Sequence, residues 1–242
     1  MDIKAAADPT THWPVADDCD QTLWAGEAKV AGADPDLNYA EYAAGDIHRR
    51  PLGLGECYPG HSATSVSNDM ILGYMVGRFA AHDLAALNRL ADYGEAHGWT
   101  MGVPASELRV HLSPTGAGLL GRAIEAMGGG KKPYGIVPNL CLAVDADFEE
   151  HLQVLGIYFD GEVSGGVSDV CLARLKGLAR DRPADAFIQA VAGVYTGDEG
   201  AALALLTADT YQCPSYVRGA DSYCTVHRAF AGKIALTRFG DQ

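Results

Sequence analysis

The chain has 242 residues and a formal net charge of −13, with 48% hydrophobic and 20% charged residues. This length and composition suit one globular domain, and the acidity argues against nucleic-acid binding, which needs clustered Lys and Arg. No apolar run approaches the roughly 18–20 residues of a membrane span, and the N-terminus lacks the basic and apolar regions of a secretory signal peptide.

Helix-periodic apolar residues and helix boundary signals predict most of the elements. Residues 1–20 are polar and are predicted to form an irregular arm. The predicted helices, in chain order, are 21–32, 34–45, 69–80, 82–97, 113–127, 147–159, 166–180, 184–195 and 199–208. From residue 209 the chain is predicted to be rich in loops until the segment K-I-A-L-T-R-F near its end. No run of alternating residues predicts a sheet.

Several of these helices have clear start and stop signals. Asp34-Pro35 and Gly45 bound the second predicted helix, and Ser113-Pro114 offers an N-cap followed by proline at the first helical position. Neighbouring helices joined by short turns favour antiparallel hairpins. We therefore predict a single all-α domain over 1–242, built from helical hairpins with long Gly/Pro loops.

Six cysteines are present, and none forms a C-x-x-C pair, which argues against a zinc ribbon or a thioredoxin-like site. Cys141 and Cys171 lie in apolar segments and are predicted to be core thiols. Cys213 and Cys224 flank a loop and are candidates for a disulfide.

The segment G-E-C-Y-P-G-H-S-A-T-S-V-S-N-D-M-I-L-G-Y-M, residues 55–75, carries the main chemical signal. Its Ser-Asn-Asp triplet suits a helix start, because these side chains accept the free N–H groups of the first turn. That explanation does not account for Glu56 or His61. Glycosidic cleavage needs two carboxyl groups, one protonated and one ionised. We therefore predict Glu56 as acid and Asp69 as base, with His61 in the same site.

Aromatic and polar side chains elsewhere are candidates for binding a sugar. Tyr and Trp rings pack on sugar faces, and an arginine can neutralise an acidic sugar. The predicted substrate-binding residues are Arg50, Asn68, Tyr74, Tyr93, Trp99, Tyr223 and His227. A polysaccharide lyase would instead use His61 or a tyrosine to move the proton next to a uronic carboxylate.

Four segments together resemble a known group of proteins. They are C-D-Q-T-L-W-A-G (19–26), G-D-I-H-R-R-P (45–51), H-S-A-T-S-V-S-N-D-M-I-L-G-Y (61–74) and L-x-R-L-A-D-Y-G-E-A-H-G-W-T-M-G (87–102). They resemble bacterial and phage relatives of six-hairpin (α/α)-toroid carbohydrate-active enzymes. In those proteins a loop ending in Ser-Arg-Asp leads into a helix, whereas this chain has Asn68 at the arginine position. The resemblance implies an open or truncated (α/α)-toroid-like arrangement.

The leading hypothesis is a phage-encoded glycoside hydrolase that acts on a bacterial surface polysaccharide or on peptidoglycan. It requires no metal and no cofactor, and it needs neither a membrane nor nucleic acid as partner. We expect the protein to be cytoplasmic, carried on a virion, or released by lysis. The alternatives are the polysaccharide lyase, a non-catalytic glycan- or protein-binding protein, and a metal-dependent hydrolase using His48, His61 and Asp69.

Overall fold

The computed structural model describes residues 8, 12–13, 20–49, 65–102, 109–130, 141, 147–217 and 221–237. The α-helices in these residues are α1 Gln21–Val30, α2 Asn68–Ala80, α3 Leu84–Ala96, α4 Pro114–Ala126, α5 Asp147–Ser164, α6 Asp169–Asp181, α7 Ala186–Thr196, α8 Gly200–Thr207 and α9 Asp221–Thr237. Strand β1 Glu41–Ala43 pairs antiparallel with β2 Asp46–Ile47, and β3 Thr100–Met101 pairs antiparallel with β4 Val110–His111. The predicted all-α class is confirmed.

Helix α1 packs most extensively on α2 and also contacts α9. Helix α7 contacts α6, α8 and α9, while α5 contacts α2, α4 and α7. A continuous hydrophobic core joins these helices, and its largest buried side chains include Trp24, Tyr74, Phe159, Phe187, Tyr223 and Phe230. Within the described residues no helix is both long enough and apolar enough to span a bilayer. The toroid-like arrangement of the hairpins stays a prediction.

Local capping explains several helix starts. Ser113 Oγ accepts the Gly116 N–H at 3.1 Å, and Pro114 is the first residue of α4. Asp185 Oδ1 accepts the N–H groups of Phe187 and Ile188 at the start of α7. The predicted start of the helix over 113–127 is therefore confirmed.

The helix predicted over 34–45 is wrong. The chain forms a 3₁₀ turn at Leu37–Ala40 and then the β1–β2 hairpin. Asp36 caps only the short turn, through Asn38 N–H, and Gly45 has a φ of 83°, which closes the hairpin. Asp-Pro at the start and Gly at the end suit a turn and a hairpin as well as a helix.

The prediction of a loop-rich tail after residue 209 is also wrong, because α9 occupies Asp221–Thr237. Its buried side chains include Tyr223, Val226, Phe230 and Ile234, which recur at helical spacing. The polar residues between them obscure this stripe in the sequence.

Two disulfides occur among the described residues. Cys213–Cys224 joins the segment before α9 to α9 itself, with Cα atoms 5.7 Å apart. Cys141 and Cys171 also form a disulfide, with Cα atoms 5.0 Å apart. The prediction that these two are free core thiols is therefore wrong, because the fold brings them within bonding distance across 30 residues.

Candidate functional site

Arg49 fixes the chain on both sides of segment 50–64. Its backbone N–H donates to Ser65 O at 3.0 Å. Its guanidinium donates at 2.9 Å to each of Ser65 Oγ, Ser67 Oγ and Asp20 Oδ1. Arg49 and Ser65, the described residues that flank segment 50–64, therefore lie side by side, next to the start of α2.

Asp46, on strand β2, is buried beside this junction. Its Oδ1 accepts the Gly102 N–H at 3.0 Å, and its Oδ2 lies 4.0 Å from His48 Nε2. Burial raises the pKa of Asp46, although the hydrogen bonds from Gly102 and Tyr93 oppose the increase. The result is a carboxyl group that keeps its proton to a higher pH than an exposed aspartate.

His48 is the second buried titratable group here. Its ring stacks on Tyr42, with centroids 4.8 Å apart, and neither ring nitrogen has a hydrogen-bond partner among the described residues. Burial lowers the pKa of His48 to about 4. The imidazole is therefore neutral at physiological pH.

We expect His48 to make the protein less stable as the pH falls from 6.5 towards 4. The unfolded state binds a proton on His48 within this window, whereas the folded state does not, so stability is lost on acidification. Folded Asp46, whose pKa is raised, takes up a proton in the same pH range, and this uptake offsets part of the loss due to His48. The net expected loss of stability is about 2 kcal/mol. Urea denaturation at several pH values measures the effect.

The matched variants are His48→Gln and His111→Gln, since His111 is exposed. His48→Gln should abolish most of this pH dependence, and His111→Gln should leave it intact. An unchanged pH dependence in His48→Gln would contradict the assignment.

The C-terminal end of α3 places aromatic side chains near Asp46. Tyr93 is half-buried, its ring stacks on exposed His97 with centroids 4.0 Å apart, and its hydroxyl donates to Gly102 O at 3.4 Å. Trp99 is buried and its ring covers Gly94, where a Cβ would lie 2.5 Å from Trp99 Cε3. The Tyr93 ring is therefore partly accessible to a ligand, whereas the buried Trp99 ring packs against the C-terminal end of α3.

The start of α2 reaches the same region. A Cβ on Gly102 would lie 3.0 Å from Val66 Cγ1, so Val66 packs against the residue that binds Asp46. Asp69 is buried in the first turn of α2, and Asn68 beside it is exposed. The structure thus brings the start of α2, which carries two predicted site residues, towards the region of Asp46 and Tyr93.

The remaining predicted site residues fall into two groups. Arg50, Glu56 and His61 lie outside the described residues, so their roles stay predictions. Tyr74, Tyr223 and His227 are fully buried. The contacts of these three side chains are with other parts of the protein.

Tyr74 belongs to a buried ionic network. Its hydroxyl donates to Glu41 Oε1, and its ring lies 4.9 Å from the Arg78 guanidinium. Burial raises the pKa of Tyr74. Tyr223 instead stacks on Trp24, with ring centroids 5.1 Å apart.

His227 is part of a second buried cluster, with Glu27 and His151. His227 Nδ1 lies 3.2 Å from Glu27 Oε2, and His151 Nε2 lies 3.3 Å from Glu27 Oε1. Burial raises the pKa of Glu27, but the two imidazoles outweigh it and the net pKa is lowered. Tyr216 continues the cluster, because its hydroxyl lies 3.2 Å from His227 Nε2 and donates to Asp185 Oδ2 at 2.7 Å.

Tyr216 and Asp185 also line an open pocket of about 370 Å³ next to the turn between α6 and α7. Its other polar lining residues are Glu150, Asp181, Arg182, Gln212 and Ser215, and its apolar ones include Pro183, Ile188 and Pro214. Arg182 Nε donates to Glu150 Oε2 at 2.9 Å. Three carboxylates and one guanidinium give the pocket a net negative charge, which suits a neutral or cationic ligand.

Comparison with known proteins gives no match: no family model, curated protein or solved structure is similar to this chain. We therefore infer function from the geometry of the residues described above, because an all-α fold does not determine activity. The resemblance to toroid carbohydrate-active enzymes stays a prediction.

Sequence reasoning missed Asp46, Glu27 and His151 as functional candidates. Asp46 and His48 lie in G-D-I-H-R-R-P, one of the segments that carry the resemblance, so a local signal was present. Glu27 and His151 lie on helices that are far apart in sequence. No motif spacing links them, and only the folded chain brings them together.

Proposed function

We propose that the protein cleaves a glycan, with Asp46 as general acid and Asp69 as general base or nucleophile. The observation that carries this proposal is that buried Asp46, whose pKa is raised, accepts the N–H of Gly102, which packs on Val66 just before the start of α2. Glycosidic cleavage uses two carboxyl groups that differ in protonation. A carboxyl group whose pKa is raised by burial is suited to the acid role.

Asp69 is also buried, but it lies at the N-terminal end of a helix. It lies in the first turn of α2, where the free N–H groups and the helix dipole stabilise a negative charge. Tyr93 supplies a partly exposed ring beside Asp46 that suits packing against a sugar face. These three residues support an acid, a second carboxyl group at a helix N-terminus and a sugar platform.

The proposed substrate is a bacterial surface or cell-wall polysaccharide. The net charge of −13 disfavours polyanionic polymers and favours neutral or cationic sugars. Such a substrate implies that the protein meets bacterial envelopes, for example on a phage virion or after lysis. In this proposal Asp46 takes the acid role that the sequence predicts for Glu56, and His61 keeps its predicted place in the site.

The test compares wild type with Asp46→Asn, Asp69→Asn and the control Glu95→Gln on a panel of bacterial glycans and peptidoglycan. Glu95 is an exposed carboxylate on α3. New reducing ends report hydrolysis, and ultraviolet absorbance reports unsaturated uronic products. We expect reducing ends without absorbance, an at least hundredfold loss in either Asp variant, roughly the usual contribution of such a group, and no loss in Glu95→Gln. Wild-type activity should also fall as the pH rises through the raised pKa of Asp46.

Equal turnover in all four proteins would overturn the assignment of Asp46 and Asp69. Ultraviolet absorbance from unsaturated products would favour the lyase alternative, in which His61 or a tyrosine accepts the proton.

A second candidate function is glycan binding without cleavage in the pocket of Asp181, Arg182 and Gln212. The open pocket, lined by both polar and apolar residues, is the observation that favours it. Binding without product, weakened in Gln212→Ala but retained in Asp46→Asn, would support this candidate over the enzyme.

A further inference from the structure

The side chains of Glu27, His151 and His227 bring three potential metal-ligand atoms close together in the protein interior. One nitrogen from each histidine and one oxygen from Glu27 all lie within 4.8 Å of one another. All three residues are fully buried. They come from α1, α5 and α9, so the cluster joins three helices that are remote in sequence.

The hydrogen bonds around His227 determine where its proton lies. Asp185 accepts two backbone N–H groups on Oδ1 and the Tyr216 hydroxyl on Oδ2. The single Tyr216 hydroxyl proton is thus directed to Asp185, so the Tyr216 oxygen acts as acceptor towards His227 Nε2 at 3.2 Å. His227 therefore carries a proton on Nε2.

In the neutral imidazole this leaves a lone pair on His227 Nδ1, which faces Glu27 Oε2 at 3.2 Å. Two acceptors at this distance repel each other unless a cation lies between them. The other oxygen, Glu27 Oε1, is buried and receives no well-aligned hydrogen bond from the described residues. One cation shared by both imidazoles would satisfy the carboxylate as well.

A divalent metal ion fits this arrangement better than an extra proton. A proton on His227 Nδ1 would reach only Glu27 Oε2, whereas the other oxygen, Oε1, faces His151 Nε2 at 3.3 Å. A metal ion bound to two neutral imidazoles and one carboxylate satisfies all three ligands at once. Two nitrogen–oxygen pairs, one to each oxygen of Glu27, lie 3.2 and 3.3 Å apart, close to the edge of about 3.4 Å in a tetrahedron with bonds of about 2.1 Å.

The surroundings of His227 also match those of a metal ligand. Metal-binding histidines usually donate their second ring N–H to an oxygen that fixes the tautomer. His227 has such a partner in Tyr216, which Asp185 holds in turn. The His151 ring is held by stacking on Tyr216, with centroids 4.5 Å apart.

We propose that Glu27, His151 and His227 bind one divalent ion of the zinc class, which holds α1, α5 and α9 together. Two imidazole nitrogens and a carboxylate oxygen are a donor set that suits zinc. Complete burial assigns the ion a structural role, with a buried water as fourth ligand. This site is independent of the proposed glycan cleavage.

The test uses full-length protein without a histidine tag, purified without chelators, because a tag would itself bind metal. We expect about one zinc per chain by elemental analysis. Chelator treatment should lower the Tm by about 5–10 °C, and added zinc should restore it. Cobalt substitution should give the visible absorption of a four-coordinate site.

The variants are Glu27→Gln, which keeps the side-chain shape, and His111→Gln as an exposed-histidine control. Glu27→Gln should lose the metal and the response of Tm to zinc, whereas His111→Gln should retain both. If Glu27→Gln does not fold, the cobalt spectrum and chelator response of wild type decide the question alone. Wild type without metal, without a zinc-dependent Tm and without a cobalt spectrum would overturn the proposal. Retention of metal in folded Glu27→Gln would overturn the ligand assignment.

Discussion

Gly73→Ala is expected to destabilise the protein by about 3 kcal/mol or more, because α1 and α2 cross with their backbones in contact. A Cβ on Gly73 would overlap Leu23 Cα and lie 2.9 Å from Leu23 O. A Cβ on Gly77 would lie 2.9 Å from Gly26 Cα. Backbone atoms cannot rotate away as a flexible side chain can. The two helices must therefore separate, and this separation disrupts the most extensive helix contact in the described chain.

Gly177→Ala is the matched control for this prediction. Gly177 also lies inside a helix, α6, but a Cβ there would meet no atom within 4 Å. Alanine is favoured over glycine in a helix by up to about 1 kcal/mol, so this variant should be slightly more stable than wild type. Urea denaturation followed by circular dichroism measures both variants. A Gly73→Ala variant as stable as Gly177→Ala would show that α1 and α2 do not cross at these glycines.

Local sequence signals predict a helix well where capping and periodicity agree. The helix over 113–127 starts at Pro114 because Ser113 caps it, and α3 follows the leucine spacing at 84, 87 and 90. The hairpin at 41–47 was not predictable in the same way. The position of this hairpin depends on Glu41, whose partners Arg78 and Arg89 are distant in sequence.

The candidate site shows the same division between local and long-range signals. Asp69 is recognisable because a helix N-terminus favours such a residue within a few positions of Ser67. Burial raises the pKa of Asp46 against the opposing hydrogen bonds from Gly102 and Tyr93, and only folding supplies that burial. Glu27 and His227 are separated by 200 residues, so no motif relates them. Sequence motifs therefore cannot predict functional groups whose properties depend on burial in the folded protein.

Glu41→Ala is expected to cost about 3 kcal/mol, because it removes the carboxylate that Arg78, Arg89 and the Tyr74 hydroxyl share. The Glu41 carboxylate accepts hydrogen bonds from Arg78 at 3.1 Å and from Arg89 at 2.7 and 3.0 Å. It also accepts the Gly45 N–H and the Tyr74 hydroxyl. The Arg78 side chain is only 7% exposed, so water cannot replace the lost carboxylate, although Asp83 and Asn38 remain as its partners.

The control is Arg180→Ala, which removes an exposed ion pair with Asp181 and should cost less than about 0.5 kcal/mol.

Acidification gives an independent test of the Glu41 carboxylate. Burial raises the pKa of Glu41, but Arg89 and the other donors lower it overall. The stabilising contribution is therefore fully present above the unfolded pKa of 4.5 and is lost as the pH falls through the lower folded pKa. Over this pH range wild type should lose more stability than Glu41→Ala. If both proteins lost the same stability as the pH fell, Glu41 would not be the centre of this network. Because the network ties the β1–β2 hairpin to α2 and α3, its loss should also displace Asp46 and reduce any activity that depends on it.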